Sequence, residues 1–501
     1  MLDADGTRVS PRDAVLALGL CGAALGEFSD DIVTAADHGT ATARQRAHVD
    51  LALRPGRLLE GERLAATRGR PFHPTSQAVS GWSVSDILTY GPMRREPLAL
   101  AWVAVRRSQL RLGPEPISGS IHQQLLSRAD QTVLENEMAS AGVDGTDYQL
   151  LPVHPWQAIN VLPELYAAAY TRREIVPISA DLGEFHPTVS LRTLITTVAP
   201  QHHVKLPLAV ATLGATRLLP VRNRENGVRN ERTMRAIIES DTRLHALVDV
   251  CAEGAWVGWD ESSVRDPSLE REGHLAAQVR TYPANTHADF AVPMAALAAH
   301  EWSSLAMSIG MTDPVEWFGA LADVFAVITL AFLSRGVFPE LHGQNTVLRM
   351  SLQGRILGFV LRDHDALRVN EGWMKAAGTL DPQQIIRPGR SQSLRPDSPE
   401  DLVGYAQTLA FQVNLNGIAV ALARHYALDE RELWSCVRRA IERALSALDL
   451  PRAVSDVLAD CFLRAPMWPS RTVMRPLLES GRSLALSMPA GTGSIPNPLR
   501  Q

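Results

Sequence analysis

The chain has 501 residues, 46% of them apolar and 21% charged, and its 54 acidic side chains against 49 Lys and Arg give a formal charge of −5. That balance offers no basic field for nucleic acid or anionic lipid, and the apolar content can fill two or three cores without disulfide or metal staples. The four cysteines, Cys21, Cys251, Cys436 and Cys461, stand too far apart for a CxxC pair or a zinc spacing, which predicts a reducing, cytoplasmic location.

In chain order, Ser10 to Leu25, Thr40 to Arg54 and Glu96 to Leu112 read as helices, broken by a Pro/Gly/Arg-rich stretch from Arg54 to Pro74. They predict a helical first part over residues 1–130. The apolar run Ala14 to Gly26 lacks the positive flank of a signal peptide, since Asp3, Asp5 and Asp13 cancel it, and is expected to be a buried helix. From Tyr148 to Val221, short runs of Val, Leu, Ile and Thr are punctuated by Pro, Gly and Asn, the pattern of antiparallel strands, and a β-rich part is expected over 131–310. Asp313, Pro314 and Glu316 supply a cap, a first-position proline and a capping-box acid for a helix that Gly336 ends. Within it, Val324 to Leu333 is too short for a bilayer, which takes roughly 20 residues, so no membrane span is expected. The last part, 311–501, reads as mainly helical, with a loop at Arg387 to Pro399, a helix through Leu422 and a Pro/Gly/Ser-rich tail from Pro489. The class is α+β.

Two predicted hairpins collect the polar residues. If Ala199 to His202 form the loop between Val189 to Val198 and His203 to Val210, Leu191 faces Val210 and Ile195 faces Leu206 on an apolar side. The other side gathers Ser190, Arg192 and Lys205, with Thr193 and Arg217 nearby. Only two of the 49 cationic residues are lysines, Lys205 and Lys375, which singles out Lys205. Guanidinium forks, a lysine point charge and hydroxyls suit phosphate oxygens, although a solvated sheet face shows the same alternation. In the second hairpin, Ser351 to Gly354 turn the chain between Thr346 to Met350 and Arg355 to Leu361, so Gln344 lies opposite Asp363 and Asn345 opposite Arg362. Glu340, His342, Gln344, Asn345 and Asp363 then meet at one end. Carboxylates with an amide oxygen suit Mg²⁺, which keeps several waters, while a purely structural role would be a polar end whose amides cap loose backbone groups. His73 and His154 each adjoin proline, which can hold them in set directions, and each could equally be structural.

Taken together, Pro-Val-His-Pro-Trp-Gln at 152–157, Ser190-Leu191-Arg192-Thr193, the run His203 to Leu208, Arg217, Glu340 to Asn345, and Arg362-Asp363 resemble, in order and spacing, the NRPS-independent siderophore synthetases of the IucA/IucC family. Asn497-Pro498-Leu499 resembles that family's ending. The resemblance implies a three-part cupped hand, with a helical thumb, antiparallel β-rich fingers and a mostly helical palm, assembled as a homodimer. It also implies adenylation of a carboxylate, citrate or a relative, by Mg-ATP with release of pyrophosphate. An amine or alcohol then takes the acyl group, giving amide or ester plus AMP. By position, Ser190, Arg192 and Thr193 would hold the outer phosphates, and Lys205 and Arg217 would neutralise the α-phosphate. His342 would contact that phosphate and the reacting carboxylate. Glu340, Asn345 and Asp363 would hold Mg²⁺, Asp363 also facing the nucleotide. Gln344 would orient substrate or nucleotide, and His73, His154 and Arg482 would face the substrate.

The family's thumb pattern is altered here, with Arg70 for a histidine, Gln77 for a lysine and Val79 for an arginine, which points to an unusual carboxylate partner. Two other readings stand beside the synthetase. His342-Gly343-Gln344-Asn345 with Asp363 loosely resembles an aminoglycoside-kinase loop, but Gln344 occupies the place of the required aspartate. The altered thumb also suits a nucleotide-binding protein without activity.

Overall fold

The computed structural model describes residues 9–114, 120–260, 272–386, 394–481 and 490–500. Its largest element is an eight-stranded antiparallel sheet. From edge to edge the strands are Leu110–Leu112, Ala252–Trp259, Ala276–Thr281, His202–Lys205, Thr193–Thr196, Ile175–Pro187, Leu98–Arg106 and Tyr148–Val153. The helix expected at Glu96 to Leu112 is therefore two strands, one of them near the far edge of the sheet and the other at its start. The reason is burial: from Leu98 to Val105 nearly every side chain is covered, and a short apolar run packed on both faces has no period that separates strand from helix.

Other N-terminal boundaries shift as well. Ser10 caps a helix that already ends at Ala17, and the next runs over Leu25–Arg46 rather than from Thr40. The stretch expected to be a break contains the helix Leu59–Arg68, whose Glu60, Glu62 and Arg63 are buried. Between Val153 and Ile175 the expected strands give way to three short helices, Pro155–Asn160, Leu162–Leu165 and Ala167–Thr171.

The first hairpin forms with a different register. Thr193 pairs with Lys205 and Ile195 with His203, so the expected partners Leu206 and Val210 lie beyond the strand. Pro207 ends the pairing because it has no N–H to donate, and Leu208–Thr212 instead folds onto Ala215–Arg217. Ser190 and Arg192 lie in the tight turn before Thr193, not on the strand; there Arg192 N–H donates to Ser190 O at 2.8 Å around Leu191, whose φ is +66°. The second hairpin has the expected register: Thr346 pairs with Leu361, and Arg362 N–H donates to Asn345 O at 3.1 Å. It sits in a four-stranded sheet whose outer strand, Val248–Val250, runs parallel to Ile356–Leu361.

Asp313 caps the helix Pro314–Ser334 by accepting from the N–H groups of Val315 and Glu316. At 21 residues and mean hydropathy 1.9, this helix is long and apolar enough to cross a membrane, unlike the ten-residue run within it. Most of it is buried inside the protein, against Glu430–Ala447 and the second sheet. The expected helix through Leu422 is continuous from Pro399 to Tyr426, but Ala406–Leu415 is wound as a π-helix. The tail contributes the strand Gly491–Pro496, paired with Met467–Thr472.

Candidate active site

Between the two sheets, the π-helical segment and the end of Leu59–Arg68 lies a cavity of about 420 Å³. From the first hairpin it is lined by Ser190, Arg192, Thr193 and Lys205, and Arg217 joins them from the neighbouring strand. From the second come Glu340, His342, Gln344, Asn345 and Asp363. The two groups meet directly, since Lys205 Nζ forms an ion pair with Asp363 Oδ1. Asp363 reaches inward from a left-handed backbone (φ +66°), and its N–H donates to Glu253 Oε1 at 2.9 Å.

Cations outnumber the acids that face this space. Arg280 pairs with Glu253, Arg362 with Glu62, Arg224 with Asp365 at 2.8 Å and Arg368 with Glu340 at 3.0 Å. Arg192 and Arg217 have no carboxylate partner among the described residues. Arg192 donates to Leu218 O at 2.7 Å, and Arg217 donates to the Thr212 hydroxyl and, at 2.8 Å, to its carbonyl. Burial beside other cations lowers both guanidiniums, to about 10 for Arg192 and about 9 for Arg217. Burial and Arg224 pull Lys205 down to about 7 against the attraction of Asp363. An anion entering the cavity would favour the charged form of each of the three and so oppose the effect of burial.

The acid side is held differently. Burial would raise Asp363, but Lys205 and Arg280 keep it well below the usual carboxylate range. Glu340 is likewise lowered, burial being overcome by Arg368 and His342. Asp365 is raised, first by burial and then by Asp363. His342 is pushed to about 4 by burial, so its ring is neutral near pH 7. Its Nδ1 accepts from Gln344 N–H at 3.3 Å, which leaves the proton on Nε2, 3.7 Å from Glu340 Oε2.

A divalent cation fits this donor set in a particular way. One oxygen of Glu340 and one of Asp363 are committed to Arg368 and Lys205, leaving the other two with the Asn345 side chain. Among the described residues no cluster of three or more His, Cys, Asp or Glu could hold a metal unaided. Three hard oxygen donors and room for water suit an ion that arrives already bound to phosphates.

Two expected residues lie elsewhere. His154 is fully buried between Trp82 and Tyr90, with ring centroids 6.1 and 5.1 Å away, and caps a helix by accepting from Trp156 N–H at 3.2 Å. It does not line the cavity. Nor does buried His73, whose Nδ1 accepts from Thr75 N–H at 3.3 Å and which burial, with Arg70 and Arg217, lowers to about 3. Arg482 lies outside the described residues. Arg280 and Arg471 also line the cavity, and the sequence does not single them out. Arg280 could have been found by alternation, two positions from Gln278 on a strand next to Lys205; Arg471 carries no local signal.

Residues 57–299 match the IucA / IucC family, and residues 315–484 match a family described as Ferric iron reductase FhuF-like transporter. Staphyloferrin B synthase of Staphylococcus aureus is 31% identical over 471 residues, 92% of this chain and 79% of that protein. The petrobactin biosynthesis protein AsbB of Bacillus anthracis superposes with a TM-score of 0.81 at 20% identity, covering 99% of this chain and 82% of AsbB. ATP-bound aerobactin synthetase IucA of Klebsiella pneumoniae gives 0.73 at 17% identity, over 98% and 86% of the two chains. The family match over residues 57–299 and a relative 31% identical along nearly the whole length lead to one conclusion: the chain belongs to the IucA / IucC family of siderophore synthetases.

Proposed function

We propose that this protein is an ATP-dependent ligase of siderophore biosynthesis. It activates a carboxylate, citrate or a related di- or tricarboxylate, as the acyl-adenylate with release of pyrophosphate. An amine or hydroxyl then displaces AMP to give an amide or ester. The observation that carries this reading is the single cavity in which Arg192, Lys205 and Arg217 face Glu340, His342, Asn345 and Asp363, joined by the Lys205–Asp363 ion pair.

Adenylation asks little covalent help from protein; positioning and charge neutralisation carry it. Arg192, with Ser190 and Thr193, binds the outer phosphates. Lys205 and Arg217 meet the charge that grows on the α-phosphate as the carboxylate attacks, and the low dielectric that depresses them in the empty pocket strengthens that contact. Neutral His342 donates one hydrogen bond from Nε2 toward the reacting oxygens, while Gln344 helps orient them. Glu340, Asn345 and Asp363 hold Mg²⁺, which supplies further charge neutralisation when bound.

The test is hydroxamate formation with hydroxylamine, ATP and a panel of di- and tricarboxylates, with the nucleotide products identified. AMP and pyrophosphate support the ligase. ADP with a phosphorylated product replaces it with a phosphotransferase, and tight ATP binding with no turnover on any acid replaces it with a binding protein.

A further inference from the structure

Beside Asp363 the chain crosses from one sheet to the other. Val248–Val250 runs parallel to Ile356–Leu361 in the four-stranded sheet, and the ladder extends by one bond as Cys251 N–H donates to Leu361 O at 2.9 Å. From Ala252 the same segment is a strand of the eight-stranded sheet. Glu253 is thus the second residue past the crossing, with its side chain buried. Across from it, Asp363 leaves the ladder with φ +66°, and its N–H is taken by a side chain, Glu253 Oε1, at 2.9 Å. The same oxygen accepts from Arg280 Nε, while Glu253 Oε2 has no hydrogen-bond partner among the described residues.

The main chain of Glu253 is fixed as well. Its N–H donates to Glu231 Oε2 at 3.0 Å, and its carbonyl accepts from Gln278 Nε2 at 2.8 Å. Gln278 stands opposite Lys205 in the antiparallel pair, so Glu253 is braced by the strand that flanks the phosphate-facing lysine. After Asp363, His364 Nε2 lies 3.0 Å from Cys251 O, and its carbonyl accepts from Asn230 Nδ2 at 2.7 Å. A left-handed backbone is disfavoured outside glycine and persists where its surroundings over-determine it, and a buried N–H must be met. The Lys205–Asp363 ion pair cannot supply that hold once ligand is bound, because phosphate competes for the lysine and a divalent cation for the aspartate. Glu253 grips the main-chain N–H, which neither ligand needs.

We infer that Glu253 is a positioning residue for the acid-facing end of the cavity: by accepting the Asp363 N–H it holds the left-handed turn, and with it the Asp363 carboxylate, toward the divalent cation that accompanies the nucleotide. This rests on reading Asp363 as a ligand of Mg²⁺. It also gives one oxygen two separable duties, neutralising Arg280 and holding the turn.

The experiment measures binding of the non-cleavable analogue α,β-methylene-ATP to the full chain by calorimetry, with Mg²⁺ and in EDTA, and takes the ratio of the two affinities as the metal enhancement. Two double variants are compared with wild type, Glu253→Gln with Arg280→Met and Glu253→Leu with Arg280→Met. Both remove the ion pair without stranding a buried charge, and only the first keeps an oxygen that can accept the Asp363 N–H. Native circular dichroism and melting temperature establish folding. The Gln double should keep the wild-type enhancement within about threefold, and the Leu double should lose about tenfold to a hundredfold of it, as when an outer partner of a metal ligand is removed. In EDTA the two doubles should agree within about threefold, since the phosphate-facing residues are the same in both. Glu253→Asp keeps a charge for Arg280 but draws the carboxylate back by one methylene, and should lose part of the enhancement. Equal enhancement in the two folded doubles overturns the positioning role, as does an equal fall with and without metal in the Leu double, which would make Glu253 a general support of the cavity. Should the Leu double not fold, full enhancement in Glu253→Asp overturns it instead. A wild type whose affinity ignores Mg²⁺ refutes the metal reading of Asp363 itself, whereas a responsive wild type with indistinguishable doubles sinks the positioning alone.

Discussion

Arg362 and Glu62 meet 2.5 Å apart with side chains 3% and 0% exposed, joining the second hairpin to the helix Leu59–Arg68. The same guanidinium donates to Tyr282 Oη at 2.7 Å and to Gln344 O at 2.8 Å, while Glu62 Oε2 accepts from Val189 N–H at 3.3 Å. One carboxylate thereby ties the turn that carries Ser190 to the strand end that carries Asp363. The bond network fixes the distance between the phosphate-facing and acid-facing halves of the cavity.

Glu62→Gln should therefore destabilise the protein by about 3–5 kcal/mol, because Arg362 keeps its buried charge without a counterion. Glu62→Leu combined with Arg362→Met should regain much of that stability, yet adenylation should stay low, since Val189 loses its acceptor and Gln344 its donor. Urea unfolding and hydroxamate rates on the same samples check both halves. A double variant that recovers activity along with stability would show that the pair holds nothing in register.

Arg217→Ala isolates transition-state charge from folding. Among the described residues its side-chain hydrogen bonds go only to Thr212, so removal should move the melting temperature little while adenylation falls by about 10²-fold or more, as for other oxyanion donors. Lys205→Ala should show the same loss of rate together with a clear loss of stability, because Asp363 is then left buried beside Asp365 without its ion pair. Near-normal rates in a folded Arg217→Ala remove that residue from the phosphate site.

The site was legible where chemistry and register agree. Gln344, Asn345 and Asp363 could be brought together from the sequence because a four-residue turn and an uninterrupted apolar pattern fix that hairpin's pairing. The first hairpin misled on pairing since Pro207 ends the strand early, though Thr193 and Lys205 still emerged as neighbours. Leu98 to Val105 carries no strand signal in the sequence because burial on both faces erases the alternation that marks a strand. Glu62 was beyond reach, as its partner Arg362 lies 300 residues away in sequence, and nothing beside Arg471 announces its approach to the Tyr405 ring. His154 shows the converse error: a proline-flanked histidine looked functional, but an aromatic cage and a helix N-terminus account for it.

His342→Ala should impair chemistry more than folding. The ring is held neutral by burial, so its contribution is a directed hydrogen bond and the orientation of Gln344, not a permanent charge. His342→Asn, which retains a donor, should recover part of the rate, and both variants should unfold near the wild-type urea midpoint. A variant that is unfolded overall, with full activity in whatever fraction folds, would make the histidine structural.

His154 gives the protein an acid limit. Burial lowers it from an ordinary 6.5 to about 3, so the native ring stays neutral while the unfolded chain takes up a proton. The unfolded state thus binds more protons across that window; the contribution is intact above pH 6.5 and is lost as pH falls toward 3, at up to about 1.4 kcal/mol per pH unit. In His154→Asn the amide oxygen can still accept from Trp156 N–H, but the packing against Trp82 and Tyr90 is gone. The variant should therefore be less stable than wild type at pH 7.5, with the gap narrowing steadily between pH 6.5 and 4 in urea unfolding. A gap that stays constant over that range would mean that the cage accepts the imidazolium and that the acid limit lies in other groups.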